Sequence, residues 1–195
     1  MTSRESVLKA VMFKKPDRPP ISHALLPSSQ YHYGKALESI VNNIHEDFGW
    51  SLLPDLPREK LSPLYKLGKN KDDWGTLWMV TEEGRCGIPI IYPIKSDWSK
   101  YKDYKWPEVF AAGMPKYRLY SGHINGKSSE YYARGGWITL FEQMQQMIGF
   151  EDLLISLISD LPEVYKLKND LLLLNLAWID KWLNMEYQGL HFADD

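Results

Sequence analysis

Only one cysteine, Cys86, occurs in the 195 residues. No internal disulfide can form, which excludes a small secreted scaffold held by disulfides. Long hydrophobic runs are also missing. The most apolar stretch, Leu171 to Ile179, is bracketed by Asp170 and Asp180 and interrupted by Asn175, whereas a bilayer span needs about 20 apolar residues. Nor does one sign of charge dominate: 23 basic and 25 acidic side chains leave a net charge of −2. That balance removes the electrostatic reason to expect nucleic acid or an anionic membrane as partner. The opening Met1-Thr2-Ser3-Arg4-Glu5-Ser6 has no apolar signal-peptide core, so a soluble, cytoplasmic protein is expected. Internal repeats and low-complexity segments are absent, as are a phosphate-cradling Gly-x-x-x-x-Gly-Lys loop and a Gly-x-Ser-x-Gly nucleophile turn.

What is present is an ordinary globular composition, 44% hydrophobic and 25% charged, enough for one good-sized core. The 8 Trp, 12 Tyr and 6 Phe residues stand out, and many lie between Phe48 and Trp106. Aromatic side chains bring much buried area per residue, so core and loop packing is the first reading. The functional reading is a non-catalytic binding module in which Trp50, Trp74, Trp78, Trp98 and Trp106 stack on a sugar or another planar ligand.

The pattern of elements is mixed. Ser3-Arg4-Glu5-Ser6 followed by Val7, Leu8, Val11 and Met12 predicts a capped helix, stopped by the prolines at 16, 19 and 20. Ile21 to Leu26 reads as a short buried strand, and Gly34 to Phe48 as a helix with Leu37, Ile40, Val41 and Ile44 on one face. Residues 50–67, with Pro54, Pro57 and Pro63, read as an irregular excursion. Trp74, Thr76, Trp78 and Val80 alternate, a turn follows at 81–85, and Gly87 to Tyr92 returns, which predicts a hairpin. Pro89 and Pro93 confine the return strand to an edge. Residues 95–106 are charged and aromatic without a clean period. Two extended arms, 117–124 and 127–133, flank the turn-forming Asn125-Gly126. Helices are predicted over 138–148 and 150–158, separated by Gly149, and then from Pro162 to about Glu186. Gly189 to Asp195 closes the chain as a strand-like run.

Short buried strands alternating with helices argue for parallel β/α units. A closed barrel of eight such units takes about 250 residues, so these 195 read as the front part of a larger domain.

Several segments together resemble the uroporphyrinogen decarboxylase superfamily, which includes corrinoid-dependent methyltransferases. Thr2-Ser3-Arg4-Glu5-x-Val7-Leu8 with Asp17-Arg18-Pro19-Pro20-Ile21 is similar to that family's first helix and lead-in to its first strand. Asp73-Trp74-Gly75 with Trp78, and Tyr92-Pro93-Ile94, look like its insert before the second strand, here residues 50–115 or so. Gly136-Trp137-x-x-Leu140-Phe141-Glu142-x-Met144 with Gly149-Phe150-Glu151 is the most specific match. Gly189-Leu190-His191-Phe192-Ala193-Asp194-Asp195 looks like a strand that delivers acidic residues to the barrel mouth. The resemblance implies an α/β fold, a partial (β/α)8 TIM barrel comprising its first half, an N-terminal helix and a β-hairpin insert. The whole chain is then the N-terminal part of one domain, with a site at the C-terminal ends of the strands. For a full-length parent it implies a methyltransferase or carboxy-lyase, the present fragment alone being inactive.

Uroporphyrinogen carries eight carboxylates, which bidentate arginines hold economically. No arginine lies between Arg18 and Arg58, and this favours a methyltransferase-like or uncharacterised branch over the decarboxylase of porphyrin metabolism. The methyltransferase branch implies zinc and a corrinoid protein partner for the parent, zinc serving to generate a thiolate nucleophile. No metal ligands are assigned within the chain: Cys86 has no nearby histidine, and the five histidines lack ligand spacing. Asp194 and Asp195 are the catalytic candidates, as carboxylates at a strand tip that could orient a ligand or shuttle a proton. A helix N-cap is the competing role. His32, Trp74, Gly136, Trp137 and His191 are the substrate-binding candidates, Gly136 because a residue without Cβ lets backbone approach a ligand. The expected partners are a small-molecule substrate, the corrinoid protein and further copies of the chain paired through open strand edges.

Overall fold

A computed structural model describes residues 1–23, 25–48, 57–95, 97–107, 130–184 and 187–194. The described residues form a mixed α/β structure with five α-helices, a three-stranded antiparallel sheet and a parallel strand pair. No described helix is long and apolar enough to cross a membrane.

Helix α1 (Ser3–Val11) begins as its sequence requires. The Thr2 hydroxyl accepts the Glu5 amide at 3.2 Å, and the Glu5 carboxylate accepts the Thr2 amide at 2.8 Å, a reciprocal capping box. The expected strand at 21–26 does not form among the described residues. Pro27 instead opens α2 (Pro27–Asn42), because proline has its φ set for the first helical turn and lacks an amide that would go unused there. The helix thus starts seven residues before the predicted Gly34, where it bends through a φ of 48°, and stops short of Phe48. The apolar period at 37–44 was real, but the proline decided where the helix began.

Strands β1 (Gly68–Lys71), β2 (Leu77–Val80) and β3 (Ile88–Ile91) form the antiparallel sheet in that order. The hairpin predicted from alternation is β2–β3, and Pro89 does sit on an edge strand, opposite Trp78. Strand β1 was missed, since Gly-Lys-Asn-Lys carries no apolar alternation. The predicted arms around Asn125-Gly126 lie outside the described residues, apart from 130–133, and the 50–115 insert is described only in part.

Strand β4 (Arg134–Ile138) occupies residues partly assigned to a helix from their apolar content. It runs parallel to β5 (Gly189–Phe192), with Arg134 opposite Gly189 and Ile138 opposite Phe192. Between them lie α3 (Phe141–Ile148), α4 (Phe150–Ile158) and α5 (Pro162–Leu183). These helices provide the crossover that a parallel pair demands. Gly149 separates α3 from α4 at a φ of 102°, and a Cβ there would lie 3.1 Å from the Tyr92 ring.

The core is the face that α5 turns inward. Val164, Leu167, Leu171, Leu174, Trp178 and Trp182 recur every three or four residues and are all buried. They meet Met147, Ile148 and Leu153 from the preceding helices, and Trp74 and Ile94 from the sheet side. The residues flanking the sheet are tied to α3: the Thr76 hydroxyl donates to the Gln146 carbonyl at 2.8 Å, and the Ile94 and Lys95 amides to the Met147 carbonyl at 3.0 and 3.3 Å. The turn before β2 is built on Asp72, whose carboxylate accepts the amides of Trp74 and Thr76 and the Trp78 indole at 2.8–3.0 Å. Burial pushes that carboxyl above its usual range, even though the three donors favour its ionised form.

Candidate functional site

The carboxyl ends of β4 and β5 lie side by side, with the Ala193 amide donating to the Ile138 carbonyl at 3.0 Å. Immediately beyond, the chain of β4 turns into α3 at Leu140, a residue that has no polar side chain with which to cap the helix. The cap comes from the other strand. Asp194 Oδ2 accepts the amides of Leu140 and Phe141 at 2.9 and 2.8 Å, and Oδ1 accepts the Glu142 amide at 2.9 Å. A carboxylate in that position satisfies three otherwise unpaired amides and meets the positive end of the helix dipole. Behind it, buried Asn175 of α5 donates to the Thr139 carbonyl at 2.9 Å, which fixes the same corner from the helix side.

An ionised carboxylate offers about four lone-pair directions, and three are used here. Asp194 nevertheless remains exposed, so it is a fixed anionic acceptor at the mouth of the strand pair with room for one more donor. Asp195 lies outside the described residues.

His191 stands on β5, half-buried. Burial and the positive charge of Arg134 on β4 both push its imidazole below the usual value, which favours the neutral ring. The Arg134 guanidinium itself lies over the Phe48 ring, 5.1 Å from its centre. Gly136 and Trp137 are in the middle of β4. Gly136, Trp137 and His191 are therefore on one strand pair, and Asp194 lies two residues beyond the end of β5.

The other candidates are elsewhere. His32 sits exposed in the first part of α2, its ring edge-on to Tyr33 at 4.6 Å. Trp74 is 3% exposed and is spent on the core, edge-to-face with Trp106 and Trp178 at 6.4 and 6.3 Å. Trp78 is buried beside it, so neither ring presents a flat face to a ligand. Trp50 lies outside the described residues. Cys86 is an exposed free thiol. Among the described residues, no three His, Cys, Asp or Glu side chains come together to hold a metal ion. The described residues therefore do not fit the zinc that the methyltransferase branch implies.

Sequence reasoning overlooked a second polar cluster. Asp47, wholly buried, accepts both Arg18 guanidinium nitrogens at 2.6 and 2.7 Å and the Ile21 amide at 2.7 Å. Burial alone would raise its carboxyl, but these donors, with help from Ser3 and His45, hold it well below the usual carboxylate range. Ser3, His45 and Asp47 invite comparison with a nucleophilic triad. The geometry excludes one: His45 Nε2 makes both contacts, to Ser3 Oγ at 3.3 Å and to Asp47 at 3.0 Å. A relay needs the two different ring nitrogens. The cluster instead ties the start of α1 and the 17–21 segment to the 45–47 corner. Its signal in the sequence was the Asp17-Arg18-Pro19-Pro20 segment, whose arginine had no assigned partner.

No protein-family model, no curated protein and no solved structure matches this chain.

Proposed function

We propose that this chain forms opening β/α units of a barrel of the uroporphyrinogen decarboxylase superfamily, from a methyltransferase-like or uncharacterised branch, and that it contributes to a small-molecule site at the carboxyl ends of its parallel strands. The observation that carries this reading is the parallel β4–β5 pair with three helices in the crossover between its strands and Asp194 at its mouth. Ligands of parallel α/β sheets bind where the carboxyl ends of strands meet helix N-termini. Asp194 and His191 are the side chains this chain brings to that region. Asp194 serves as an anchored acceptor for a donor on the ligand, and His191 as a neutral hydrogen-bonding group. Among the described residues, each of the two strands is paired along one edge, which is consistent with further staves.

The porphyrinogen decarboxylase alternative needs arginines free to pair with substrate carboxylates. Arg18, the one arginine near the start of the expected first strand, is already bound to Asp47. This supports the methyltransferase-like branch.

The test is to express the gene in full and titrate the purified protein with zinc and, separately, with hydroxocobalamin, following the corrinoid absorption bands. A corrinoid shift that weakens in Asp194→Ala is the expected result. No binding of either probe overturns the methyltransferase reading, and turnover of uroporphyrinogen assigns the decarboxylase in its place.

A further inference from the structure

The outward side of α5 also carries apolar side chains, several of them exposed. Leu172, Leu173, Leu176 and Leu183 are 43%, 66%, 48% and 65% exposed, and Tyr165 adds an exposed ring one turn from the start. Taken with polar Asn169 and with Ile179, which also packs partly buried against the core, these residues follow the spacing 165, 169, 172, 176, 179, 183. That alternation of four and three is the heptad seam of a coiled coil. The side chains on the open flank of this seam are Lys166, Leu173 and Asp180.

We propose that α5 is a self-association surface and that its occupant is the antiparallel α5 of a second copy of this chain. Charge complementarity singles out that partner. With a two-fold axis crossing the helix near Leu173, Leu172 of one copy meets Leu176 of the other, Asn169 meets Ile179, and Tyr165 meets Leu183. On the open flank, Leu173 meets its own counterpart and Lys166 faces Asp180, twice by symmetry. Four of the six layers are then apolar on both sides, the two that set Asn169 against Ile179 are not, and one cation and one anion from each copy pair at the ends of the seam. A parallel arrangement would set flank against opposite flank, Lys168 against Leu173, and gain no ion pair. A membrane surface would call for basic residues along both flanks of the stripe, whereas this flank carries one lysine and one aspartate.

Lys166 is not consumed by its neighbours. It bonds Asp170 at 2.6 Å and lies over the Tyr101 ring, yet it is 64% exposed. An ammonium has three donors, so it can keep Asp170 and take Asp180 of the second copy. The apolar layers supply the association and the paired charges its direction. This interface is separate from the strand edges and from the mouth of β4 and β5, so it stands or falls independently of the proposed activity.

The test is the mass of the full chain by light scattering and its sedimentation over a range of concentrations. A dimer is expected, with Leu173→Glu shifting it to monomer. Asp180→Lys should weaken the dimer roughly tenfold by replacing two attractive pairs with two repulsive ones. Lys166→Glu should act likewise, and the double variant Lys166→Glu/Asp180→Lys should restore the affinity. All three substitutions are at exposed positions, and circular dichroism verifies that each of the four variants folds. A monomer at every concentration overturns the proposal. So does a dimer indifferent to Leu173→Glu, or two charge changes that add rather than compensate.

Discussion

Asp47, with no exposed side-chain surface, grips Arg18 through two bonds, Nη2 to Oδ1 at 2.6 Å and Nη1 to Oδ2 at 2.7 Å. The residues are 29 apart in sequence, and the pair closes the N-terminal segment onto the 45–47 corner. Because Arg18 and the Ile21 amide hold the carboxyl below its unfolded value, the unfolded chain binds more protons across the window between the two values. Stability therefore rises with pH there. The contribution of Asp47 is complete above about pH 4, the unfolded aspartate value, and is lost as pH falls through the folded one. Asp47→Asn should cost about 3 kcal/mol near neutrality and flatten the acid limb. Urea unfolding of both proteins at stepped pH from neutral downward measures this, and parallel acid limbs would refute it.

Asp194→Ala removes three amide bonds from the first turn of α3. A loss of about 1–2 kcal/mol is expected, with Asp194→Asn losing less because its carboxamide oxygen still accepts. Thermal unfolding of the two variants beside the wild type gives the order. Equal melting of all three would show that the first turn of α3 does not need this cap.

Gly84 occupies a φ of 83°, and a Cβ there would lie 2.3 Å from the Ser28 amide nitrogen. Its carbonyl also accepts that amide at 3.1 Å, so the turn before β3 is pressed against the start of α2. Gly84→Ala should destabilise by about 2 kcal/mol or more, through both the backbone conformation and the clash. Denaturant midpoints measure the loss, and a change within error would mean that the two segments separate freely.

Asn175→Leu tests a polar residue inside the most apolar run of the chain. Asn175 is 7% exposed and donates to the Thr139 carbonyl. Leucine has a similar branched shape, though it is larger, and leaves that buried oxygen without its donor, at a cost of about 2 kcal/mol. A leucine variant as stable as the wild type would assign Asn175 no structural role. The contrasting control is Leu173→Ala on the outer side of the same helix, expected to alter the stability of the folded monomer by under about 0.5 kcal/mol.

Where local signals agreed, the sequence could be read directly. Helix α4 was predicted over its observed bounds, and α5 from its Pro162 start to within a few residues of its end, because apolar spacing, Gly149 and Pro162 point the same way. The hairpin of β2 and β3 followed from alternation, and Pro89 from its missing donor. Strand β4 was not legible: Ile138 was read as the start of a helix. Its Gly-Gly-Trp-Ile has no period of its own and became a strand by pairing with Gly189 and Leu190, more than 50 residues on. At the site, Asp194 was identified as important from its place at a strand tip. Its partners were not, since a helix capped from 53 residues away leaves only a negative trace, the lack of a capping side chain at Leu140.

The sequence by itself determined α1, α4, α5 and the β2–β3 hairpin, since their caps, prolines and apolar spacing act within a turn or two. Tertiary structure alone decided that Asp47 would neutralise Arg18, that Trp74 would serve the core, and that Asp194 would complete a helix begun on another strand. Each of these is a contact between distant residues, and its energy exists only once the chain between them has been folded back.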